Sequence, residues 1–315
     1  MRAFHVPAPG QPPVLGNLDI PQPGPGDVLV KVRAAGLNPL DNVLAAGHMA
    51  QAVLHAYPLV LGRDVAGTVE AVGKDVTHVA VDDHVLGCLP LRPPVQAGTI
   101  ADYAVLPGDG VTPLPEGIDF VTAAALPLAA SGAFAAIEAT SPHQDEIVLV
   151  NGATGGVGLF AVQLAASRGA VVVATGTPAD EERLLKLGAA TVVDYTAGSV
   201  VDQVLAEYPG GVDVLINLVG QSPEHAPFAA LRAGGRVAST TFGVVTEEAL
   251  ATANATGKTV SANPVRETTA PLAALAAINR LTVEVEVLPL ERAAEGLATL
   301  AAGTARGKLV IAIDA

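Results

Sequence analysis

The segment from Asp145 to Tyr195 constrains the fold of this 315-residue chain more than any other. Ile147 to Val150 is a continuous apolar run of buried-strand type, and Gly152 to Gly158 is a turn of small residues. Leu159 to Arg168 then has the apolar spacing of a helix lying on a sheet. A second β-branched run, Val171 to Thr175, follows at the distance expected for a parallel neighbour, and a third strand closes at Tyr195. Set against the spacing G-x-G-x-x-G, the turn puts Ala153, Gly155 and Gly158 at the three key positions, with Thr154, Gly156 and Val157 completing it. Gly155 permits close backbone approach to an anion, Gly158 permits the helix to pack on its strand, and the free N–H groups at the helix start can receive phosphates. Ala153 is the single departure. The flanking strands and helix make this a dinucleotide-binding unit rather than a plain turn.

An acidic residue about 20 residues past such a turn ordinarily bonds the adenosine ribose 2′-hydroxyl of NAD. That corner here reads Thr175-Gly176-Thr177, small and neutral, with Arg183 two turns into the next helix. A neutral corner leaves room for a 2′-phosphate, with Thr177 as hydroxyl donor and Arg183 as charge partner, so NADPH is the expected cofactor. Asp180, Glu181 and Glu182 oppose this, either by repelling a phosphate or simply as acids complementing a helix dipole.

Composition narrows the remaining classes. Half of the residues are hydrophobic, ample for two ordinary domains. A net charge of −14 with only 17 Lys and Arg, and no basic run, argues against nucleic-acid binding. The opening MRAFHVPAPGQPP lacks the apolar core of a signal peptide, and glycine, proline or charge interrupts each long apolar stretch before it could span a bilayer. A soluble cytoplasmic protein with no membrane partner is expected. Cys88 is the only cysteine, which rules out an intrachain disulfide and a Cys-rich structural zinc site.

The first third is rich in Pro and Gly, with short β-branched runs at Val28 to Arg33, Asp64 to Val72, His84 to Gly87 and Ala101 to Leu106, the spacing of a small β-barrel. From Phe120 an Ala-rich helix leads toward the glycine turn. Beyond the first three strands of the nucleotide unit come Val212 to Val219, Arg236 to Thr240 and Thr259 to Asn263, completing six parallel strands of a doubly wound α/β sheet. The final segment returns to short alternating strands around a helix, which suits the first domain. The expected division is 1–120, 121–268 and 269–315, the last rejoining the first.

AAGLNPLDN (Ala34 to Asn42), LVLGRDVAGTVEAVG (Leu59 to Gly73), AALPLAASGAFAAI, NGATGGVG and the terminal ARGKLVI together resemble the medium-chain dehydrogenase/reductase superfamily, within it the zinc-free, zeta-crystallin-like quinone oxidoreductases. The resemblance runs over nearly the whole chain in the expected order. It implies a GroES-like catalytic β-barrel domain built from both chain ends around a Rossmann domain. It further implies NADPH-dependent reduction of a small-molecule quinone or activated alkene, and a homodimer. A specialised biosynthetic reductase or cyclase on the same fold, or a nucleotide-binding protein with little catalysis, are the alternatives.

A catalytic zinc needs about three protein ligands. Related zinc alcohol dehydrogenases carry a cysteine and a histidine–glutamate pair where this sequence has Ala35 and Arg63-Asp64, and His84 with Cys88 reads as two ordinary residues on a strand. No metal is therefore expected, and an acceptor that is already activated replaces the Lewis acid.

By resemblance, Asn38 and Asp41 of the NP-x-D motif are candidate catalytic residues, Asn38 beside the nicotinamide; each is also read as a local cap. The family's arginine and tyrosine just beyond are absent. His48 stands in that region as a candidate proton donor or as a solvated loop histidine. Ser131 and Tyr195 match cofactor-flanking residues of the family. Asn217 to Gly220, including Val219, and Thr241, Phe242 and Gly243 close two later strands at the carboxyl edge, where open α/β sheets bind ligands. Arg306 and Lys308 are cations able to approach the cofactor, though a surface role suits each alone.

Overall fold

The structure, a computed structural model, describes residues 1–313. The chain divides into two compact units, one of Met1–Leu128 together with the segment from Pro264 onward, the other of Ala129–Asn263. The expected borders, 120 and 268, differ from these by 8 and 5 residues. The Ala-rich stretch is not one helix but two, Phe120–Ala124 and Pro127–Thr140. Pro127 has no N–H to continue the first helix and opens the second, where an amide would be unpaired anyway.

In the first unit, among the described residues, a seven-stranded sheet is organised around Asp27–Gly36. That strand pairs antiparallel with Asp64–Val72, Tyr103–Pro107 and Lys308–Ala312, and Asp64–Val72 pairs in turn with His84–Cys88. Val28, Val30 and Val32 alternate inward and join Leu37, Leu44, Leu61, Val65 and Ile311 in one buried cluster. The return of the C-terminal segment to this unit is thus by sheet pairing. Its other strand, Val285–Pro289, pairs parallel with Lys308–Ala312 across the helix Ala293–Ala301, a connection that the alternating sequence pattern does not suggest.

The second unit is a parallel sheet, six-stranded among the described residues. Its spatial order is Thr191–Asp194, Val171–Gly176, Ile147–Asn151, Val212–Asn217, Leu231–Ser239, Thr256–Thr259. The order reverses beside the first strand, Ile147–Asn151, as in doubly wound dinucleotide folds. The sixth strand lies earlier than the expected Thr259 to Asn263. It is an edge strand, largely exposed, so TGKT carries no apolar signal. Its pairing ends where Val260 N–H meets the Ser239 carbonyl, shortly before Pro264 begins the return to the first unit. No helix among the described residues is long and apolar enough to cross a membrane.

Candidate active site and nucleotide turn

The turn in the second unit has the geometry its glycines allow. Gly155 is the N-cap of the helix Gly156–Ser167, and a Cβ there would meet only the Gly152 carbonyl, at 3.6 Å. Gly158 is the opposite case: a Cβ would press into the Gly152 carbonyl and lie 2.6 Å from Ala153 Cα. One glycine keeps space open above the helix N-terminus, and the other closes helix onto strand. Ala153 is buried, whereas Thr154, Gly156 and Val157 remain partly exposed around the exposed Gly155. Gly132, next to Ser131, approaches Val157, and the Ser131 hydroxyl is buried with no partner among the described residues. An orphaned hydroxyl of this kind, beside an open glycine turn, fits an anionic group of a dinucleotide.

The corner after the second strand differs from its sequence reading. Thr175 is 2% exposed, and its hydroxyl accepts the Gly152 N–H at 2.8 Å, bracing the turn from the next strand. Thr177 donates both its N–H (3.1 Å) and its hydroxyl (2.6 Å) to Asp180 Oδ2. The corner that looks neutral in sequence therefore carries a carboxylate delivered from three residues on. Arg183 Nη1 lies 3.9 Å from Asp180 Oδ1. Tyr195, just past the third strand, is exposed, with its backbone N–H on the Gly176 carbonyl.

Along the carboxyl edge the strands end in a row of joined polar side chains. Asn151 Nδ2 donates to Asn217 Oδ1 at 2.8 Å, Asn217 Nδ2 donates to the Val219 carbonyl at 2.7 Å, and Ser239 and Thr241 hydroxyls meet at 2.9 Å. Asn217 is fully buried, while Val219 and Phe242 project from the same edge, 43% and 77% exposed, with Gly243 in left-handed backbone behind them. The sequence singles out Asn217 on this edge but not Asn151 and Ser239, which the structure joins to it. The available signal was that Asn151, Thr175, Asn217 and Ser239 each end a buried apolar run with a polar residue.

The candidate catalytic segment lies in the first unit and is organised by a buried ion pair. Lys308, far from being a surface cation, is 4% exposed and donates to Asp64 Oδ2 (2.9 Å), Asn38 Oδ1 (2.5 Å) and the Leu37 carbonyl (2.9 Å). Asn38 Nδ2 donates to the same Asp64 oxygen at 3.0 Å, and Asp64 Oδ1 accepts the Leu128 N–H at 2.9 Å. All of Lys308's three protons are thereby placed. Asp41 is fully buried, its two oxygens accepting the N–H groups of Asn38 and Gly62 at 2.8 Å each, so it ties the Asn38 loop to the Gly62 loop. Burial raises its pKa, opposed by the nearby Arg63 charge and by these bonds.

Arg63 is 2% exposed and donates to the carbonyls of Val60 and Ala97; burial lowers its pKa. Cys88 lies opposite Asp64 in register, and burial, with Asp64 beside it, pushes its thiol well up. His84 sits at the far end of that strand, opposite Thr68, away from Cys88. Of the three candidate catalytic residues, His48 alone is exposed, on the turn after the helix Pro39–Ala45. Arg306 is exposed.

The chain matches the alcohol dehydrogenase GroES-like domain over residues 24–116 and the zinc-binding dehydrogenase family over residues 187–311. The architecture they define is a GroES-like unit with a Rossmann-type parallel sheet. A quinone oxidoreductase of Sus scrofa is 33% identical over 241 residues, 75% of this chain and 71% of that protein. The mitochondrial NAD(P)H oxidoreductase RTN4IP1 of Homo sapiens is 36% identical over 217 residues, 64% of this chain but 54% of its own length, so the match spans about half of that relative. An alcohol dehydrogenase superfamily protein from Novosphingobium aromaticivorans superposes with a TM-score of 0.87 at 29% identity, covering 100% of both chains. The chain belongs to the medium-chain dehydrogenase/reductase superfamily.

The zinc implied by the second family's description does not fit the residues present. Among the described residues no three of His, Cys, Asp and Glu are grouped to hold a metal. Asp64, beside Cys88, is already engaged by a lysine, and the residue before it is a buried arginine.

Proposed function

We propose that this chain is a metal-independent oxidoreductase that passes hydride from a reduced nicotinamide dinucleotide to a quinone or an activated alkene. The observation that carries the reading is the Lys308–Asp64 pair. The carboxylate best placed to receive a metal is bound to an ammonium, and a second buried cation, Arg63, adjoins it in sequence. A divalent ion there would meet like charge and a donor already in use. With no Lewis acid to polarise an ordinary carbonyl, the acceptor must be electron-poor at the start. The glycine turn, the unpartnered Ser131 hydroxyl and the polar edge at Asn217 and Thr241 support the dinucleotide site.

When bound, the cofactor supplies the hydride. The first unit's residues hold and orient: Lys308 and Asp64 fix both ends of the Asn38 amide, and Asp41 ties the Asn38 backbone N–H to the Gly62 loop. Asn38 and Asp41 are then positioning residues, and His48 is the member of the trio whose ring can meet an acceptor and return a proton. Of the groups expected to receive a 2′-phosphate, the Thr175 and Thr177 hydroxyls are both bonded inside the unit, so the reading is of a nicotinamide dinucleotide, with its phosphorylated form no longer favoured by these residues. The exposed edge strand Thr256–Thr259 supports a homodimer that would cover it.

A screen of reduced-cofactor oxidation over quinones, enones and enoyl thioesters tests this, on protein whose mass and metal content are measured alongside. The expected result is turnover of a quinone or enone, no stoichiometric zinc, and a mass twice the 31.5 kDa chain. Activity that chelator abolishes and zinc restores would refute the metal-independent reading, and a monomer in light scattering would refute the dimer.

A further inference from the structure

We propose that Asp180 selects the dinucleotide with a free adenosine 2′-hydroxyl, so that this chain binds NADH in preference to NADPH. The inference rests on the dinucleotide reading of the glycine turn and sharpens it. The sequence places Asp180 outside the corner, beyond Gly176 and Thr177, where it reads as an acid at a helix start. The fold brings it back: a Cβ on Gly176 would lie 3.4 Å from the Asp180 Cβ, so the carboxylate sits against the end of the second strand. The side chain is 10% exposed.

Two consequences follow for a 2′-phosphate. The donors that would receive it, Thr177 N–H and the Thr177 hydroxyl, already serve Asp180 Oδ2. The guanidinium that would neutralise it, Arg183, has Asp180 Oδ1 at 3.9 Å, so its charge is opposed at close range. A second acid stands across the strand. Asp194 is in register with Gly176, and its bonds from the Thr196 hydroxyl and N–H hold its carboxyl below the ordinary value, so it is ionised at neutral pH. A phosphate monoester, close to doubly charged at neutral pH, would meet the Asp180 carboxylate at this corner, with the Asp194 residue one strand over adding charge of the same sign. A ribose hydroxyl is a donor instead. A carboxylate has about four acceptor sites, and Thr177 uses two of those of Asp180. An acid at this corner is the group that bonds the ribose 2′-hydroxyl in dinucleotide folds; here it arrives from the following turn.

The test is titration of the full chain with NADH and NADPH, and with ADP-ribose and 2′-phospho-ADP-ribose, which carry no nicotinamide and so report the corner without turnover. NADH and ADP-ribose should bind about tenfold tighter, or more, than their phosphorylated counterparts. Asp180→Asn should narrow that gap by about tenfold, chiefly by tightening the phosphorylated pair. Should the variant fold poorly, the wild-type ratios across the four ligands decide alone. Equal or reversed wild-type affinities overturn the role of Asp180 while leaving the dinucleotide site standing. Binding of none of the four overturns both.

Discussion

The two units handle buried polarity in opposite ways. The first buries charge: Asp41, Arg63, Asp64 and Lys308 are each no more than 4% exposed. The second also buries two carboxylates, Asp180 and Asp213, but the carboxyl edge of its sheet is neutral, a chain of amides and hydroxyls from Thr175 through Asn151 and Asn217 to Ser239 at the ends of strands that are otherwise apolar. Buried ions must be matched in place, because a single charge left over is costly, whereas neutral hydrogen-bonding groups lose less when one partner goes. The difference teaches that the candidate catalytic segment is held by an electrostatic lock, and the nucleotide edge by an exchangeable hydrogen-bond row.

The strongest way to break that contrast is Lys308→Met. It strands the Asp64 carboxylate, and we expect a stability loss of about 3–5 kcal/mol in urea unfolding, with Asp64→Asn added to it recovering part of the loss. A loss no greater than a surface substitution would show that the lock carries little. Asn217→Ala is the matching change in the nucleotide unit. Removing its amide leaves the Asn151 Nδ2 without its acceptor, and about 1–3 kcal/mol should disappear.

The smallest effect concerns a peripheral pair. Burial alone would lift the Glu146 carboxyl, but the Arg236 guanidinium, 2.5 Å away, and the His143 N–H outweigh it and hold it below its ordinary value. A carboxyl lowered in the folded state adds stability that is present above its ordinary value of 4.5 and is lost as pH falls through the lowered one. Glu146→Gln should therefore cost about 1 kcal/mol or less at pH 7, and the deficit should vanish in melting curves taken in acid.

Much of this molecule is legible in its sequence. The first strand of the nucleotide unit, its turn and its helix were legible because Ile147 to Val150 must be buried and Gly155 and Gly158 cannot carry side chains there. The sixth strand was not, since an exposed edge strand has no apolar run to mark it. The corner at Gly176 is only half legible for a related reason: spacing along the strand locates Thr175 and Thr177, and composition marks Asp180 as an acid nearby, but neither shows its side chain folding back onto Thr177. Lys308 was misread because a lone lysine is normally a surface residue, and its partner Asp64 lies 244 residues away. Pairings across such separations leave no local pattern.

That separation also orders the birth of the protein. A ribosome completes the whole nucleotide unit, Ala129–Asn263, before Lys308 is made. Until the strand Lys308–Ala312 emerges, the Asp27–Gly36 strand lacks a neighbour and Asp64 lacks its cation. The nascent chain thus carries one finished unit while the other still lacks the lysine that Asp64 pairs with, and the strand that supplies it is made only after the nucleotide unit is complete.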